Sequence, residues 1–269
     1  MRDCKGMGVL ITGGGSGIGA ETARLFAERG ARVTISGRRA DRLDAVAAQI
    51  GETCMTVVGD VVSGTDRRRM LDTAAEHAGG RLDALINNAG NMYRQPVDAY
   101  DAAYLREAFE VNVIAGMMLS SIAIPLLEQT KGAIVFIGST HTRRAFAGAS
   151  PYATTKAAVE GLARVMAAEL GPRGIRVGCV LPGAVATELN IRAGLMREDE
   201  VSARYAGIAH EHVLGRIGTA REVAEGIEYL VRAEWVTGVA LQVDGGIGLG
   251  ASAGVAVPAS DKAAEPGRQ

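Results

Sequence analysis

Short apolar runs alternate with longer amphipathic stretches along most of the chain. The runs are bounded by glycine, proline or polar residues and predict strands at Gly8–Ile11, Ala31–Ser36, Cys54–Val58, Ala84–Ile86, Ala133–Ile137, Ile175–Val180 and Val239–Val243. The stretches between them predict helices at Gly17–Arg29, Asp41–Ile50, Thr65–His77, Tyr100–Glu128, Pro151–Leu170 and Ala220–Val231. Apolar strands separated by helices indicate a parallel sheet covered on both faces. With right-handed crossovers, this predicts a doubly wound α/β fold of about seven strands.

The chain shows no internal repeat or linker, so we expect one domain over residues 1–250. Two segments interrupt the alternation of runs. Ala184–Gly218 is a long insertion, and long loops in compact domains are usually functional, which predicts a substrate lid. Residues 251–269 are rich in alanine, serine, proline, glycine and charge, and we expect a disordered tail.

The formal net charge is -1 and both signs are spread along the chain, so no nucleic-acid or membrane partner held by bulk charge is expected. The three cysteines, Cys4, Cys54 and Cys179, have no paired spacing and predict no disulfide framework. The N-terminal residues lack the apolar core of a signal peptide, and no apolar run is expected to span a bilayer. These features predict a cytoplasmic protein.

A glycine-rich loop follows the first predicted strand and opens the first predicted helix. Written from Thr12 to Gly19, it reads T-G-x-x-x-G-I-G and contains Gly13, Ser16, Gly17 and Ile18. Glycines let the backbone approach a pyrophosphate closely, and the helix N-terminus offers free N–H groups. The loop therefore predicts a dinucleotide site.

Three polar residues point to proton transfer at a carbonyl oxygen. Tyr152 and Lys156 lie four residues apart in a predicted helix and therefore share one face. A lysine ammonium there should lower the tyrosine pKa from its usual value of about 10, as should an oxidised nicotinamide ring. Ser139, thirteen residues before Tyr152, is placed to donate a hydrogen bond to the same oxygen. No Gly-x-Ser-x-Gly elbow surrounds Ser139, so a hydrolase nucleophile is not expected.

The end of the second predicted strand bears on the choice of cofactor. An acidic residue there would hold the ribose hydroxyls of NAD and repel a 2′-phosphate, but the chain reads Ser36-Gly37-Arg38-Arg39. The Arg38 guanidinium is suited to bind a phosphate, which favours NADP(H), with NAD(H) as the second possibility. The alternative is that both arginines simply cover the start of a surface helix.

Six features occur in the order and spacing of the short-chain dehydrogenase/reductase family, which this chain resembles from Gly13 to Gly246. They are the glycine loop, Asn87-Asn88-Ala89-Gly90, Asn112, Ser139 with Tyr152 and Lys156, Pro182-Gly183 with Thr187, and Val243-Asp244-Gly245-Gly246. The resemblance implies a Rossmann fold and hydride transfer between NADP(H) and a carbonyl or secondary alcohol. It also implies a homo-oligomer, with a tetramer favoured.

The resemblance also assigns further roles. Asn112 would help hold a water that relays protons to Lys156, and Asp60 would accept a hydrogen bond from the adenine amino group. Val185 and Thr187 would contact the nicotinamide carboxamide. The remaining cofactor positions implied by the family are Val61, Asn88, Ala89, Gly90, Pro182 and Gly183.

Several alternatives remain open at this point. A 3-oxoacyl-thioester reductase would use cations such as Lys131, Arg173, Arg192, Arg197 and Arg204 to meet an acidic acyl carrier protein, although these are also ordinary surface charges. Steroid, sugar, quinone and secondary-alcohol substrates are all compatible. A non-catalytic dinucleotide-binding protein would be expected to lack Tyr152, Lys156 or Ser139.

The histidines give no metal site, since no pair has ligand spacing with a carboxylate. His77 and His141 are expected at the surface or in a pocket. His210 and His212 are expected to be solvated in the lid, with the lining of a pocket as the alternative. The helices Tyr100–Glu128 and Pro151–Leu170 are apolar on more than one face, which independently favours a symmetric oligomer.

Overall fold

The computed structural model describes residues 1–189, 193–194 and 197–250, so the expected tail at 251–269 lies outside the described residues. Its strands are β1 Gly8–Thr12, β2 Arg32–Gly37, β3 Cys54–Val58, β4 Ala84–Asn87, β5 Ala133–Ile137, β6 Arg176–Pro182 and β7 Ala240–Val243. Its helices are α1 Gly17–Glu28, α2 Ala40–Ile50, α3 Gly64–His77, α4 Ala102–Phe109, α5 Ala115–Thr130, α6 Ser150–Leu170, α7 Val201–Ala209 and α8 Ala220–Arg232.

The strands form one seven-stranded sheet in the order β3-β2-β1-β4-β5-β6-β7. Every pair is parallel; in the centre, for example, Leu10 of β1 is level with Leu85 of β4. The strand order reverses between β1 and β4, and ligands of such sheets bind in the crevice at the carboxyl ends there. The predicted fold class, a doubly wound parallel sheet of Rossmann type, is confirmed.

Apolar side chains fill the space on both faces of the sheet. Val9 and Ile11 of β1 pack into one buried cluster with α1 and α8, while Leu10 between them packs into the other with α3, α5 and α6. Successive strand side chains point to opposite faces, so a strand that is apolar at every position contributes to both layers. The core therefore fixes the strand ends where the site is built.

The helix predicted over Tyr100–Glu128 is a continuous run, Ala102–Thr130, in which a π-helical segment separates α4 from α5. Asp101 caps the start, because its carboxylate accepts from the Tyr104 N–H at 2.7 Å, and the helix begins at Ala102. Glu110–Ile114 between α4 and α5 is π-helical, a wider turn that often marks functional sites. Asn112 lies within this segment.

The expectation that no apolar run is long enough to span a bilayer was wrong, because one run has the necessary length and composition. Among the residues that the structure describes, the run Ala102–Thr130 passes that test. In this fold, Leu119, Ala123 and Leu127 of the run are buried in the core, and core helices of such composition pass the same test.

The segment Ala184–Gly218 contains regular structure that the sequence pattern did not predict. Val185 forms a parallel bridge with Gly218, so the two ends of the segment meet beside the sheet. Between them lie a short 3₁₀ turn at Glu198–Glu200 and the helix α7.

Candidate active site

The glycine loop turns sharply between β1 and α1. Gly13 and Gly17 have φ angles of 67° and 53°, in the left-handed region that favours glycine. A Cβ at Gly19 would collide with the Gly13 carbonyl oxygen and lie 2.5 Å from Asn88 Nδ2. Asn88 Nδ2 donates to the carbonyl oxygens of Thr12 and Gly13, at 2.8 and 3.1 Å. Side chains are thus kept away from the inner surface of the loop.

The N-terminus of α1 is left free for a ligand. Ser16 occupies the N-cap position with extended backbone, but its hydroxyl makes no capping hydrogen bond to the first turn. The first N–H groups of a helix carry the positive end of its dipole and bind anions such as phosphate. A loop without side-chain bulk and an uncapped helix N-terminus together fit a dinucleotide diphosphate.

The two arginines that follow β2 contact different partners. Arg38 is 75% exposed, and its Nη1 lies 3.8 Å from Asp60 Oδ2. Arg39 Nη2 donates instead to Ser16 Oγ at 3.3 Å and to Glu188 Oε2 at 3.1 Å. Arg39 is therefore the arginine that lies against the glycine loop, whereas the sequence argument had placed most weight on Arg38. No local pattern could identify Glu188 as its partner, because the two are 149 residues apart.

Ser139, Tyr152 and Lys156 are brought together at the carboxyl end of β5. Their exposed fractions are only 6%, 6% and 5%. Tyr152 lies in the first turn of α6, and Lys156 one turn later donates to the carbonyl oxygen of Ile137 at 2.8 Å. The Lys156 ammonium is 5.5 Å from the centre of the Tyr152 ring. The three side chains predicted from spacing thus form one buried group.

Burial dominates the acid–base properties of this group. It raises the pKa of Tyr152 to about 12, against a smaller lowering by a hydrogen bond with Ser139. It also lowers the pKa of Lys156 to about 8. Lys156 was expected to lower the pKa of Tyr152. With only protein groups around the phenol, the pKa is raised instead. At neutral pH Tyr152 carries its proton and Lys156 is largely charged.

The buried Lys156 predicts a pH-dependent stability. Its folded pKa of about 8 lies below its ordinary value of 10.5, so between these values the unfolded chain binds more protons. The free energy of unfolding should then rise with pH across this window, by an amount on the order of 3 kcal/mol. Urea unfolding of wild type and Lys156→Met should show this rise only in wild type. Lys5→Met, at an exposed position, is the matched control; equal slopes in wild type and Lys156→Met would refute the prediction.

Asn112 joins the π-helical segment to its surroundings. Its Oδ1 accepts from the Asn91 N–H at 2.9 Å, and its Nδ2 donates to the Asn91 carbonyl and to Thr155 Oγ1. Asn87, Asn112 and Lys156 all line a small cavity of about 10 Å³. This volume is about the minimum that holds one water molecule. Asn87 Oδ1 is buried there and has no hydrogen-bond partner in the part of the chain that the structure describes.

The other residues predicted to bind cofactor converge on the same edge of the sheet. Thr12 Oγ1 accepts from the Asn88 and Ala89 N–H groups at 3.1 and 3.0 Å. A Cβ at Gly90 would lie 3.0 Å from Asn112 Oδ1, and one at Gly17 would lie 3.2 Å from Thr187. The set that lies along this edge is Ile18, Asp60, Val61, Pro182, Gly183 and Val185.

One histidine lies where its sequence context did not place it. His212 is buried, with Nδ1 3.1 Å from the Ile208 carbonyl oxygen, so the expectation of a solvated lid residue was wrong; His210 is exposed. His141 is half-buried beside the candidate active site, with Nδ1 3.0 Å from Ser139 Oγ. Within the described parts of the chain, no cluster of three or more histidine, cysteine or acidic residues could hold a metal.

Comparison with known proteins places this site in a family. The family model described as short chain dehydrogenase matches residues 8–198. Curated relatives include (+)-borneol dehydrogenase 1 of Salvia officinalis, 33% identical over 90% of this chain and 94% of its own length. L-fucose dehydrogenase of Bos taurus is 33% identical over 93% of each. The solved 3-ketoacyl-(acyl-carrier-protein) reductase from Brucella melitensis complexed with NADH matches with a TM-score of 0.82 and 29% identity, over 91% of this chain and 99% of that one.

The chain belongs to the short-chain dehydrogenase/reductase family. It is an oxidoreductase of the class that interconverts CH–OH and C=O groups with a nicotinamide dinucleotide.

Proposed function

We propose that this protein is an NADP(H)-dependent carbonyl reductase or secondary-alcohol dehydrogenase in which Tyr152 is the general acid and base. The observation that carries the proposal is the burial of Ser139, Tyr152 and Lys156 together, at the sheet edge that also forms the glycine loop. A non-catalytic dinucleotide-binding protein would have no use for this buried, desolvated group.

The chain's own residues account for the proton half of the reaction. A bound nicotinamide supplies or accepts the hydride. In reduction, the protonated Tyr152 hydroxyl gives its proton to the substrate oxygen as charge develops there. Ser139 donates a hydrogen bond to the same oxygen, and the Lys156 ammonium stabilises the resulting phenolate. The water-sized cavity between Asn112 and Lys156 supports a proton route from the lysine.

The residues of the β2 edge support NADP(H) as the preferred cofactor. Arg39 donates to Ser16 of the glycine loop and Arg38 stands beside Asp60, while no acidic residue stands at the end of β2. Asp60 stands beside Arg38 and is the proposed acceptor for the adenine amino group. NAD(H) remains the alternative; the Brucella melitensis neighbour was solved with NADH.

The substrate is a small carbonyl or alcohol compound, and the relatives span terpene, sugar and acyl-thioester chemistry by name. For the thioester alternative, Arg173 already forms an ion pair with Glu128 at 2.6 Å, and Arg197 with Asp199 at 3.1 Å. Arg192 lies outside the described residues. Surface cations that are already paired give no specific support for an acyl carrier protein. The proposed location is the cytoplasm, in keeping with the free thiols of Cys4, Cys54 and Cys179. We propose no nucleic-acid or membrane partner.

We further propose one domain over residues 1–250, with Ala184–Gly218 as a lid that orders over cofactor and substrate. Its first residues already touch the glycine loop, through Thr187 beside Gly17 and Glu188 on Arg39. Amide exchange in this segment is expected to slow when NADP(H) and substrate are added, because closure shields the backbone. Exchange in α3, on the far side of the sheet, serves as the internal control. Unchanged lid exchange would count against closure.

A homo-oligomer, with a tetramer favoured, is proposed from the outer faces of α4, α5 and α6. Large apolar side chains are exposed there, namely Phe109, Ile114, Met117, Met118 and Val165. Closed symmetric assembly is the usual way to cover such a surface. Light scattering at micromolar concentration should give a multiple of 27.9 kDa, and Met118→Glu should lower that mass. A monomer mass for wild type would refute the proposal.

The test of the proposed function is turnover of a carbonyl panel. Ketones, hydroxyketones, sugars and acyl thioesters are incubated with NADPH or NADH and followed at the nicotinamide absorbance. Oxidation of NADPH with at least one carbonyl supports the proposal. Binding of NADPH without turnover of any panel member, in a protein verified as folded, would overturn it in favour of a non-catalytic role.

A further inference from the structure

His141 contacts the reacting group but has no part in the mechanism above. It lies on the short turn after β5, two residues beyond Ser139. Its Nδ1 is 3.0 Å from Ser139 Oγ, and its backbone N–H donates to that same oxygen at 3.2 Å. The ring packs against Phe146, with centroids 4.3 Å apart, and stands edge-on to the Tyr152 ring at 5.1 Å. His141 is thus fixed between Ser139 and Tyr152.

The imidazole is neutral under working conditions. Burial, and secondarily the charge of Arg94, lower the pKa of His141 to about 4. A neutral imidazole has one N–H donor and one acceptor nitrogen. Nε2 is buried and has no hydrogen-bond partner among the described residues. Among the described residues, Ser139 is therefore the hydrogen-bond partner through which the imidazole can act.

The direction of that contact determines whether Ser139 can act. The Ser139 hydroxyl has one proton and two acceptor positions. If it donates to His141 Nδ1, its proton is not available to a substrate oxygen. If Nδ1–H donates instead, Oγ accepts from both the ring and the backbone N–H of His141, and its own proton is left for the substrate.

We propose that His141 is a positioning residue whose Nδ1–H donates to Ser139 Oγ and directs the Ser139 proton toward the substrate oxygen. The inference rests on the proposed function, in which Ser139 donates to that oxygen. It adds a residue that acts through Ser139 without touching the reacting atoms.

A second set of contacts holds this turn in register with α6. Glu160, one turn after Lys156, accepts from Thr142 Oγ1 at 3.1 Å and from both terminal nitrogens of Arg143, at 3.0 and 2.5 Å. The glutamate is buried, and a satisfied buried network of this kind fixes its members relative to one another. The turn carrying Ser139 and His141 is thereby tied to the helix that carries Tyr152.

The experiment compares His141→Phe with His141→Asn. Phenylalanine keeps the ring contacts and removes both nitrogens, whereas the asparagine amide nitrogen can occupy the place of Nδ1. We expect His141→Phe to lower kcat by roughly ten- to a hundredfold with KM little changed, since an interaction made in the transition state is weakened. His141→Asn should recover a large part of that loss. His141→Leu is the replacement if the Phe variant does not fold, as judged by thermal unfolding and NADPH binding.

A double-mutant cycle with Ser139→Ala tests whether His141 acts through the serine. In the Ser139→Ala background, His141→Phe should change kcat by less than about twofold, because the group it orients is gone. The half-buried His77, 3.0 Å from the Thr53 carbonyl oxygen and outside the candidate site, provides the control His77→Leu, which should leave kcat unchanged.

The outcomes separate this inference from the proposed function. Wild-type kcat in His141→Phe, no recovery in His141→Asn, or a full loss of tenfold or more in the Ser139→Ala background would overturn the positioning role. Wild type without carbonyl turnover would overturn the proposed function instead.

Discussion

Replacing Tyr152 by phenylalanine should remove most of kcat, by roughly a hundredfold or more, while cofactor binding stays nearly intact. In the proposed mechanism the Tyr152 hydroxyl transfers its proton to the substrate oxygen, whereas Ser139 donates a hydrogen bond to that oxygen and Lys156 stabilises the phenolate. Its pKa is raised to about 12 by burial, so it is protonated and ready to donate in the reduction. Phenylalanine keeps the ring, its contact with His141 and the position of α6.

The measurement pairs steady-state kcat with the dissociation constant for NADPH from fluorescence. Tyr93→Phe is the matched control. Tyr93 is another buried tyrosine, and its hydroxyl donates to Glu107 at 3.2 Å. Its loss is expected to lower stability and leave kcat within about twofold, as for a removed structural hydrogen bond. Near wild-type kcat in Tyr152→Phe would show that another group transfers the proton.

The fold could be predicted from the sequence because its signal is local. Runs such as Ile134-Val135-Phe136 are apolar at every position, which is what a strand buried on both faces requires. The glycine loop and the Tyr152–Lys156 spacing are also short-range patterns tied to one strand end and one helix. Strand ends of a parallel sheet meet at one edge, so residues close to different strand ends in the sequence converge in space.

What could not be predicted depends on tertiary contacts. The π-helical turn at Glu110–Ile114 leaves an apolar pattern almost the same as that of a regular helix, so periodicity does not reveal it. The partnership of Glu188 with Arg39 joins distant parts of the chain. The raised pKa of Tyr152 follows from desolvation, which spacing cannot report and which outweighs the hydrogen bond with Ser139.

Substitutions at the two arginines after β2 can test the proposed preference for NADPH over NADH. A 2′-phosphate brings up to two negative charges to the adenosine ribose, and a hydrogen bond to a charged group contributes about 1.5–3 kcal/mol. At about 1.4 kcal/mol per factor of ten, this predicts a ten- to hundredfold preference for NADPH. Because Arg38 is largely exposed, we expect the lower end of that range.

The variant Gly37→Asp with Arg38→Ala is expected to turn the enzyme towards NADH. The aspartate can be accommodated, since a Cβ at Gly37 would meet Leu43 Cδ2 and Cγ at 3.6 and 4.0 Å, which are ordinary contact distances. Its carboxylate would accept from the ribose hydroxyls and repel a 2′-phosphate. The measurement is the ratio of kcat/KM for NADPH to that for NADH on one substrate, in wild type and in the double variant.

Single changes then assign the phosphate to one arginine. Arg39 lies against Ser16 and is held by Glu188, whereas Arg38 faces Asp60, so the two offer the phosphate different approaches. If Arg38 binds it, Arg38→Ala lowers the NADPH to NADH ratio by about tenfold and Arg39→Ala has a smaller effect. The exposed Arg68 of α3 provides the control Arg68→Ala, which should leave the ratio unchanged. A wild type that already favours NADH would show that both arginines only cover the surface beside the loop.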